Sequence, residues 1–332
     1  MKTSNSDKTL NQTPGLDKSD QTGGFEIHPS KALVFDLKRF AVHDGKGLRT
    51  TVFFKGCPLR CKWCQNPEGL ESHRRPVFLK KQCIGCKTCL HLADQDQIHW
   101  KEDHPVINYA SIGGFEAIVD GCPARAIRYD CEAYTVDQLL EKIRRDEVFF
   151  QKDGGVTFSG GEPFLQGQFL VDILSACKQA GLNTAIESSF YADHNLVKQA
   201  VALLDHVYCD LKVLDWQKHK EATGTDNRRI LENIAWMISD PDISKRVIVR
   251  TPLIPGYTAT DENIAGIAKW LSDHNPEVHW EMLNYNPLAP SKYEMAGKIW
   301  TLEDAKPFSK AQLEHFYQIA RENGIRNLVI EK

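Results

Sequence analysis

From Thr135 to Asn323 the chain alternates short apolar runs with longer amphipathic ones, and no other feature restricts its fold as much. The short runs, at 156–159, 183–188, 206–211, 246–253 and 278–284, have the length and composition of buried strands. Between them, stretches near 165–180, 195–204, 230–238, 262–271 and 309–323 carry apolar residues at helical spacing. Thr135-Val136-Asp137-Gln138 reads as a capping box that opens a further helix to about residue 150, with Leu139, Leu140, Ile143 and Val148 on its apolar face. Gly181 is a good stop for the helix before it. Strands that run the same way need long crossovers, which helices supply, so the alternation predicts an α/β fold with a parallel sheet. Upstream runs at 32–35 and 51–54 bring the count to about six β/α units, fewer than the eight of a closed barrel. A doubly wound sheet fits the alternation equally well.

The 51–54 strand leads into Gly56-Cys57-Pro58-Leu59-Arg60-Cys61-Lys62-Trp63-Cys64-Gln65-Asn66, whose cysteines are spaced C-x3-C-x2-C. Residues 1–30 are rich in Ser, Thr, Asn, Asp, Gln and Gly, and lack the apolar core of a signal peptide. They read as a disordered leader, with the folded chain at 31–332. Ten cysteines without an export signal point to the cytoplasm, where neighbouring thiols are ligands more often than bridges. Thiolates this close suit zinc or an iron–sulfur cluster. Three thiolates from one loop can hold three corners of a four-iron cubane and leave the fourth iron open to a substrate. A zinc loop is the alternative that the spacing leaves. A net charge of −3 gives no case for nucleic acid or an anionic membrane. No apolar run reaches the roughly eighteen residues of a membrane span.

The cysteine loop resembles the signature of the radical S-adenosylmethionine (SAM) enzymes, in which the open iron is chelated by the amino and carboxylate groups of SAM. Trp63, the aromatic residue before the third cysteine, matches that pattern. The resemblance sets Trp63, Cys64 and Gln65 beside the cofactor. Further on, Gly160-Gly161-Glu162 is similar to the segment that contacts the methionine amino group, and Glu187-Ser188 to a segment with an acidic residue and Thr. Phe190 there occupies a glycine position, and Lys46 in His43-Asp44-Gly45-Lys46-Gly47 replaces a proline. Asp210-Leu211-Lys212 resembles an element that borders SAM, its lysine meeting the carboxylate. Arg250 opens another matching strand, and Asn286 stands where relatives often have histidine. In this order, together with 215–224 and Ser291-Lys292-Tyr293, the segments resemble the glycyl radical enzyme activating enzymes, relatives of the pyruvate formate-lyase activase.

The resemblance covers Leu33 to the C-terminus. It implies a partial (β/α)6 TIM-like barrel with its chemistry at the C-terminal strand ends. It also implies reductive cleavage of SAM to a 5′-deoxyadenosyl radical that takes a hydrogen atom from a glycine of a partner enzyme. No side chain acts as acid or base. The implied partners are a glycyl radical enzyme and a flavodoxin or ferredoxin-type electron donor, with the protein itself a monomer. Two other readings stand beside it: a radical SAM enzyme acting on a small molecule, and a non-catalytic iron–sulfur electron carrier. The carrier would need none of Gly161, Glu162 and Lys212.

A second group, Cys83, Cys86 and Cys89, is spaced C-x2-C-x2-C, and Cys122-Pro123 follows later. Two-cluster ferredoxin modules carry C-x2-C-x2-C-x3-C-P twice, each fourth cysteine serving the other cluster. On that spacing the first run ends at Ala93, and the second falls on Ile112, Phe115 and Ile118. All four ligands of one cluster (Cys83, Cys86, Cys89, Cys122) are present, and all four positions of the other are apolar. The expectation is a ferredoxin-like insert over 80–130 that keeps one auxiliary [4Fe-4S] cluster and fills the other cavity with hydrocarbon. A four-thiolate zinc site is the alternative. Cys131, Cys177 and Cys209 read as ordinary buried thiols.

Overall fold

The structure, a computed structural model, describes residues 30–295 and 298–330, so all of the expected leader except Ser30 lies outside the described residues. Nine strands share one sheet: β1 (Ala32–Ala41), β2 (Arg49–Phe54), β3 (Glu132–Tyr134), β4 (Gly155–Gly160), β5 (Thr184–Ser188), β6 (His206–Asp210), β7 (Val247–Pro252), β8 (His279–Leu283) and β9 (Asn327–Val329). Their order is β9-β8-β7-β6-β5-β4-β2-β1-β3. From β2 to β9 every neighbouring pair is parallel, while β1 runs antiparallel to both β2 and β3. The expected parallel sheet is therefore present, with an antiparallel edge added by β1 and β3.

The crossover helices are α1 (Val136–Arg144), α2 (Gln168–Gln179), α3 (His194–Val201), α4 (Trp216–Thr223), α5 (Arg228–Ser239), α6 (Asp261–His274) and α7 (Lys310–Glu322). One face of the sheet carries the main core. Phe54, Phe158, Ile186, Val207, Val249 and Trp280 pack there against Ile143, Leu170, Ile173, Ile234, Ile267 and Leu271 of the helices. Cys177 and Cys209 belong to this core, and Cys131 is buried as well, as expected of plain thiols. The capping box forms: Gln138 N donates to Thr135 Oγ1 at 3.3 Å, and Thr135 N to Gln138 Oε1 at 3.0 Å.

Three expectations shift. The helix from Thr135 stops at Arg144 because Asp146 turns inward, where it accepts from Thr50 Oγ1 and Arg39 Nε, both at 2.7 Å. A separate turn, Glu147–Phe150, follows, and Val148 faces solvent at 81 % exposure instead of joining the apolar face. β1 continues to Ala41, six residues beyond the expected 32–35 run, through mixed polar and apolar residues that show no clean alternation. β9, absent from the sequence reading, is three partly buried residues at the sheet edge, too short to show a period.

Between β2 and β3 the chain makes two strand–helix–strand halves. Pro76–Phe78, Thr88–Leu92 and Ile98–Lys101 form the first, and His104–Ile107, Glu116–Asp120 and Ile127–Tyr129 the second. The outer strands pair with each other, as do the inner two. At its root, Lys55 and Asp130 form an ion pair with the lysine side chain 1 % exposed. Arg75 N also donates to Asp130 Oδ1 at 3.0 Å, so both ends of this unit are tied to the residue that precedes the cysteine loop.

Candidate cofactor site

The C-x3-C-x2-C loop leaves the C-terminal end of β2 and is held from three sides. Gly56 N and Cys57 N donate to the carbonyls of Gly69 and Leu70, at 2.8 and 3.2 Å. Arg60 N and Lys62 N donate to the carbonyls of Thr223 and Ala222, at 2.6 and 3.1 Å. These belong to the last turn of α4, whose carbonyls have no partner within their own helix. Asp215 caps that helix at its start and Gly224 ends it in the left-handed region, so the 215–224 segment exists to present carbonyls to the cysteine loop. Gln65 Nε2 donates to the carbonyl of Asn286 at 3.0 Å, and Lys292 Nζ to Asn66 Oδ1 at 2.8 Å, which brings the late segments onto the same loop. Trp63 is 4 % exposed in a small apolar cluster with Ile254, Tyr285, Tyr293 and Trp300.

Burial pushes the Cys57, Cys61 and Cys64 thiols up, Cys61 to about 12. As free thiols they stay protonated, and iron would supply the positive charge that releases those protons. Lys212 faces Cys61. Burial works against its ammonium, but Asp210, at 2.5 Å, and the Cys61 sulfur offset this and hold its pKa above the usual lysine range. Among the described residues no three His, Cys, Asp or Glu side chains converge as a ligand set for one metal ion. A cubane asks for a different arrangement, with each thiolate on its own iron.

The Gly160-Gly161-Glu162 turn lies directly against this loop. Glu162 N donates to the Gly56 carbonyl at 2.7 Å, and Gly161 N to that of Phe54 at 2.8 Å. A Cβ on Gly161 would stand 2.2 Å from the Gly56 oxygen, and one on Gly160, at φ +121°, 2.3 Å from Phe54 N. Both glycines are therefore needed to let β4 approach the loop's own backbone. Glu162 is 1 % exposed. Its carboxylate accepts from Ser188 Oγ at 2.6 Å, Ser189 N at 3.0 Å, Phe164 N at 3.3 Å and Ser189 Oγ. Four donors fill a carboxylate's acceptor positions. The carboxylate thus ties β4 to the end of β5, and Ser188 reaches the site only through it.

The helix-free face of the sheet carries the other expected residues. Glu187 Oε2 accepts from Ser159 Oγ at 2.9 Å, and Glu187 Oε1 from Arg250 Nη1 at 2.7 Å. Arg250 Nε donates to Glu281 Oε2 at 2.7 Å, and its guanidinium lies 3.9 Å over the Tyr208 ring. Burial lowers the Arg250 pKa and pushes that of Glu187 up, yet the flanking carboxylates keep Arg250 above its ordinary value. Leu211 is wholly buried in the main core, so only its backbone can border a ligand. Asn286 is exposed and its Oδ1 accepts from Leu288 N at 3.2 Å.

A family model described as a 4Fe-4S single cluster domain matches residues 43–231. The indoleacetate decarboxylase activating enzyme of Tractidigestivibacter scatoligenes is 34 % identical over 90 % of this chain and 97 % of its own length. The 4-hydroxyphenylacetate decarboxylase activating enzyme of Clostridioides difficile (strain 630) is 36 % identical over 89 % and 95 %. The choline trimethylamine-lyase activating enzyme of Oleidesulfovibrio alaskensis is 34 % identical over 86 % and 93 %. This chain belongs to the glycyl radical enzyme activating enzymes.

In this activating enzyme the second cysteine group also comes together. Cys83, Cys86, Cys89 and Cys122 line one cavity. Thr88 Oγ1 donates to Cys86 Sγ at 3.3 Å, and Ile127 N to Cys122 Sγ at 3.4 Å, bonds of the kind that tune cluster sulfurs. The four positions that lack a cysteine pack together beside it. Phe115 and Ile118 are wholly buried, and Ile112 and Ala93 lie against the same cluster as Cys89 and Cys122.

Sequence reasoning missed Ser159, Tyr208 and Glu281, which build the polar face, and Ser189, which holds Glu162. Their signal is a period of two: Thr157/Ser159, Tyr208/Asp210 and Arg250 alternate with core residues along adjacent strands. Phe190 is a departure that the structure explains. It keeps the left-handed backbone of the expected glycine, φ +57°, while burying its ring 5.2 Å from that of Phe164. Phe190→Gly relieves about 1–2 kcal/mol of backbone strain but forfeits about 3–5 kcal/mol of packing, for a net loss of roughly 1–4 kcal/mol. Denaturant unfolding of the two proteins measures it, and a more stable glycine variant would reverse this ranking.

Proposed function

We propose that this activating enzyme holds SAM against a [4Fe-4S] cluster on Cys57, Cys61 and Cys64 and so generates a glycyl radical on a partner enzyme. The observation that carries the cofactor assignment is the charge count on the helix-free face. Glu187, Glu281, Asp210 and Asp44 stand there against Arg250, Lys212 and Arg49, one carboxylate in excess. SAM chelates iron through a neutral amine and its carboxylate, so its sulfonium is the cation that an excess carboxylate favours in a site where unpaired charge is costly. When bound, a cluster there would supply the one electron that cleaves the carbon–sulfur bond of SAM to methionine and a 5′-deoxyadenosyl radical.

The chain's own residues then bind and orient. Glu187, fixed by Ser159 and Arg250, accepts from the SAM amino group together with the backbone at Gly160 and Gly161. Lys212, steered by Asp210, meets the carboxylate. Glu162 and Ser188 brace the turn, Arg250 positions Glu187, and Trp63, Gln65, Leu211 and Asn286 border the space. No side chain serves as acid or base. The parallel strands curve round this face as a partial (β/α)6 TIM-like barrel, preceded by a separate leader at 1–30. The unit at 80–130 is a ferredoxin-like insert with one auxiliary [4Fe-4S] cluster, a reading supported by its two strand–helix–strand halves. The protein acts as a cytoplasmic monomer reduced by a flavodoxin or ferredoxin-type donor, and engages no nucleic acid.

Relatives named for decarboxylases and for a trimethylamine-lyase match at nearly the same identity, so the partner is given as a class, a glycyl radical enzyme. The test combines the reconstituted protein, SAM, dithionite and a glycyl radical enzyme of the decarboxylase or lyase kind. A persistent organic radical should form on the partner and vanish when its radical glycine is replaced by alanine. Sustained 5′-deoxyadenosine formation from SAM with a small molecule as the hydrogen-atom donor, and no radical on the partner, would sink the activase reading.

A further inference from the structure

The two cysteine groups differ in how a macromolecule could reach them. Cys57, Cys61 and Cys64 are only partly exposed, under the contacts to α4 and beside the Trp63 cluster. That side must also receive the partner's glycine. In the insert, Cys86 is exposed and its neighbour Ile84 is 68 % exposed, an apolar residue with nothing to cover it among the described residues. Lys81 and Lys87 flank it in the open, and Pro123 is exposed beside Cys122 on the same cavity. The chain from Leu79 to Ala93 carries three lysines and no carboxylate, in a protein of net charge −3. Among the described residues Lys80 pairs with Asp103 at 3.4 Å and Lys87 lies 5.3 Å over the Trp100 ring, so neither Lys81 nor Lys87 has a carboxylate partner there.

We propose that this lysine-ringed face around Ile84 is the docking surface for an acidic one-electron carrier protein. A bare apolar residue inside a cationic rim suits a partner whose own rim is acidic, because opposite charge steers encounter and the apolar centre supplies contact. The carrier loses one electron and the cluster on Cys83, Cys86, Cys89 and Cys122 gains it. The protein's other face stays free for the glycyl radical enzyme. The inference rests on the auxiliary-cluster and electron-donor readings above and adds the place where the donor docks.

The test uses the full, reconstituted protein and a reduced acidic flavodoxin. Lys81→Glu/Lys87→Glu should weaken flavodoxin binding at least tenfold by calorimetry, and slow flavodoxin oxidation in stopped flow to match. Raising salt should weaken the wild type and not the variant. Iron content and dithionite-driven SAM cleavage should stay at wild-type levels, which shows that the variant is folded and loaded. Unchanged flavodoxin affinity in a fully loaded variant overturns the docking site alone. A wild type with no second cluster overturns both this proposal and the reading beneath it. A variant that binds flavodoxin normally but fails to activate its partner under dithionite would assign the face to the glycyl radical enzyme and also overturn the proposal.

Discussion

Cys86→Ala should lower the iron content of the reconstituted protein from about eight to about four per chain, while the spectrum of the SAM-binding cluster is kept. The four cysteines of the insert share one cavity, and two of the sulfurs already accept hydrogen bonds from Thr88 and Ile127. Three remaining thiolates with an exposed gap hold a cubane poorly, because Cys86 lies at the surface where solvent reaches the vacated iron. The symmetry-related cavity cannot take over. Phe115 and Ile118 fill it with hydrocarbon, wholly buried, and neither Ala93 nor Ile112 offers a ligand. Loss of the cluster should also loosen the insert, since metal binding contributes folding energy to small segments of this kind. Iron and sulfide analysis decides the matter. About twelve irons in the wild type, or zinc in the insert, would mean that the apolar positions have been misread.

Gly161→Ala should cut SAM cleavage by about a hundredfold or more, as misplacement of reacting groups by about 1 Å can do. The new methyl group would lie 2.2 Å from the Gly56 oxygen and 2.5 Å from that of Gly69. Both oxygens belong to backbone and are already engaged, the first by Glu162 N at 2.7 Å and the second by Gly56 N at 2.8 Å. No flexible side chain can yield, so the turn and the cysteine loop must move apart and break those bonds. 5′-Deoxyadenosine formation under dithionite measures the effect. A cluster on the insert's cysteines would serve as an internal control, since the cavity that they line does not include this turn. A wild-type rate in the variant would show that the loop tolerates the shift.

Much of this site was legible in the chain because its chemistry is carried by spacing. Cys57, Cys61 and Cys64 had to lie on one loop, and strand–helix alternation placed that loop and the Gly160–Gly161 turn at neighbouring strand ends. What spacing could not show was where a polar side chain is directed. Glu162 reads as an acceptor for a ligand's ammonium, yet four donors from its own chain occupy it, and that depends on how β5 ends against β4. Leu211 sits between two charged site residues, but strand pleating turns it into the core. Glu281 and Tyr208 were invisible singly, since each acquires meaning only beside Arg250 on the adjoining strands. Phe190 shows the opposite case, a residue type that argues against a backbone shape that the fold nevertheless keeps.

The central claim is an open iron held by Cys57, Cys61 and Cys64 that delivers an electron to SAM, and one measurement addresses it directly. The wild type and Cys61→Ala are reconstituted anaerobically, mixed with SAM and dithionite, and assayed for 5′-deoxyadenosine and methionine. The wild type should release the two in equal amounts, and Cys61→Ala should release neither while keeping the about four irons of its auxiliary cluster. Turnover that persists in Cys61→Ala, or none in a fully loaded wild type, would contradict the assignment of the site.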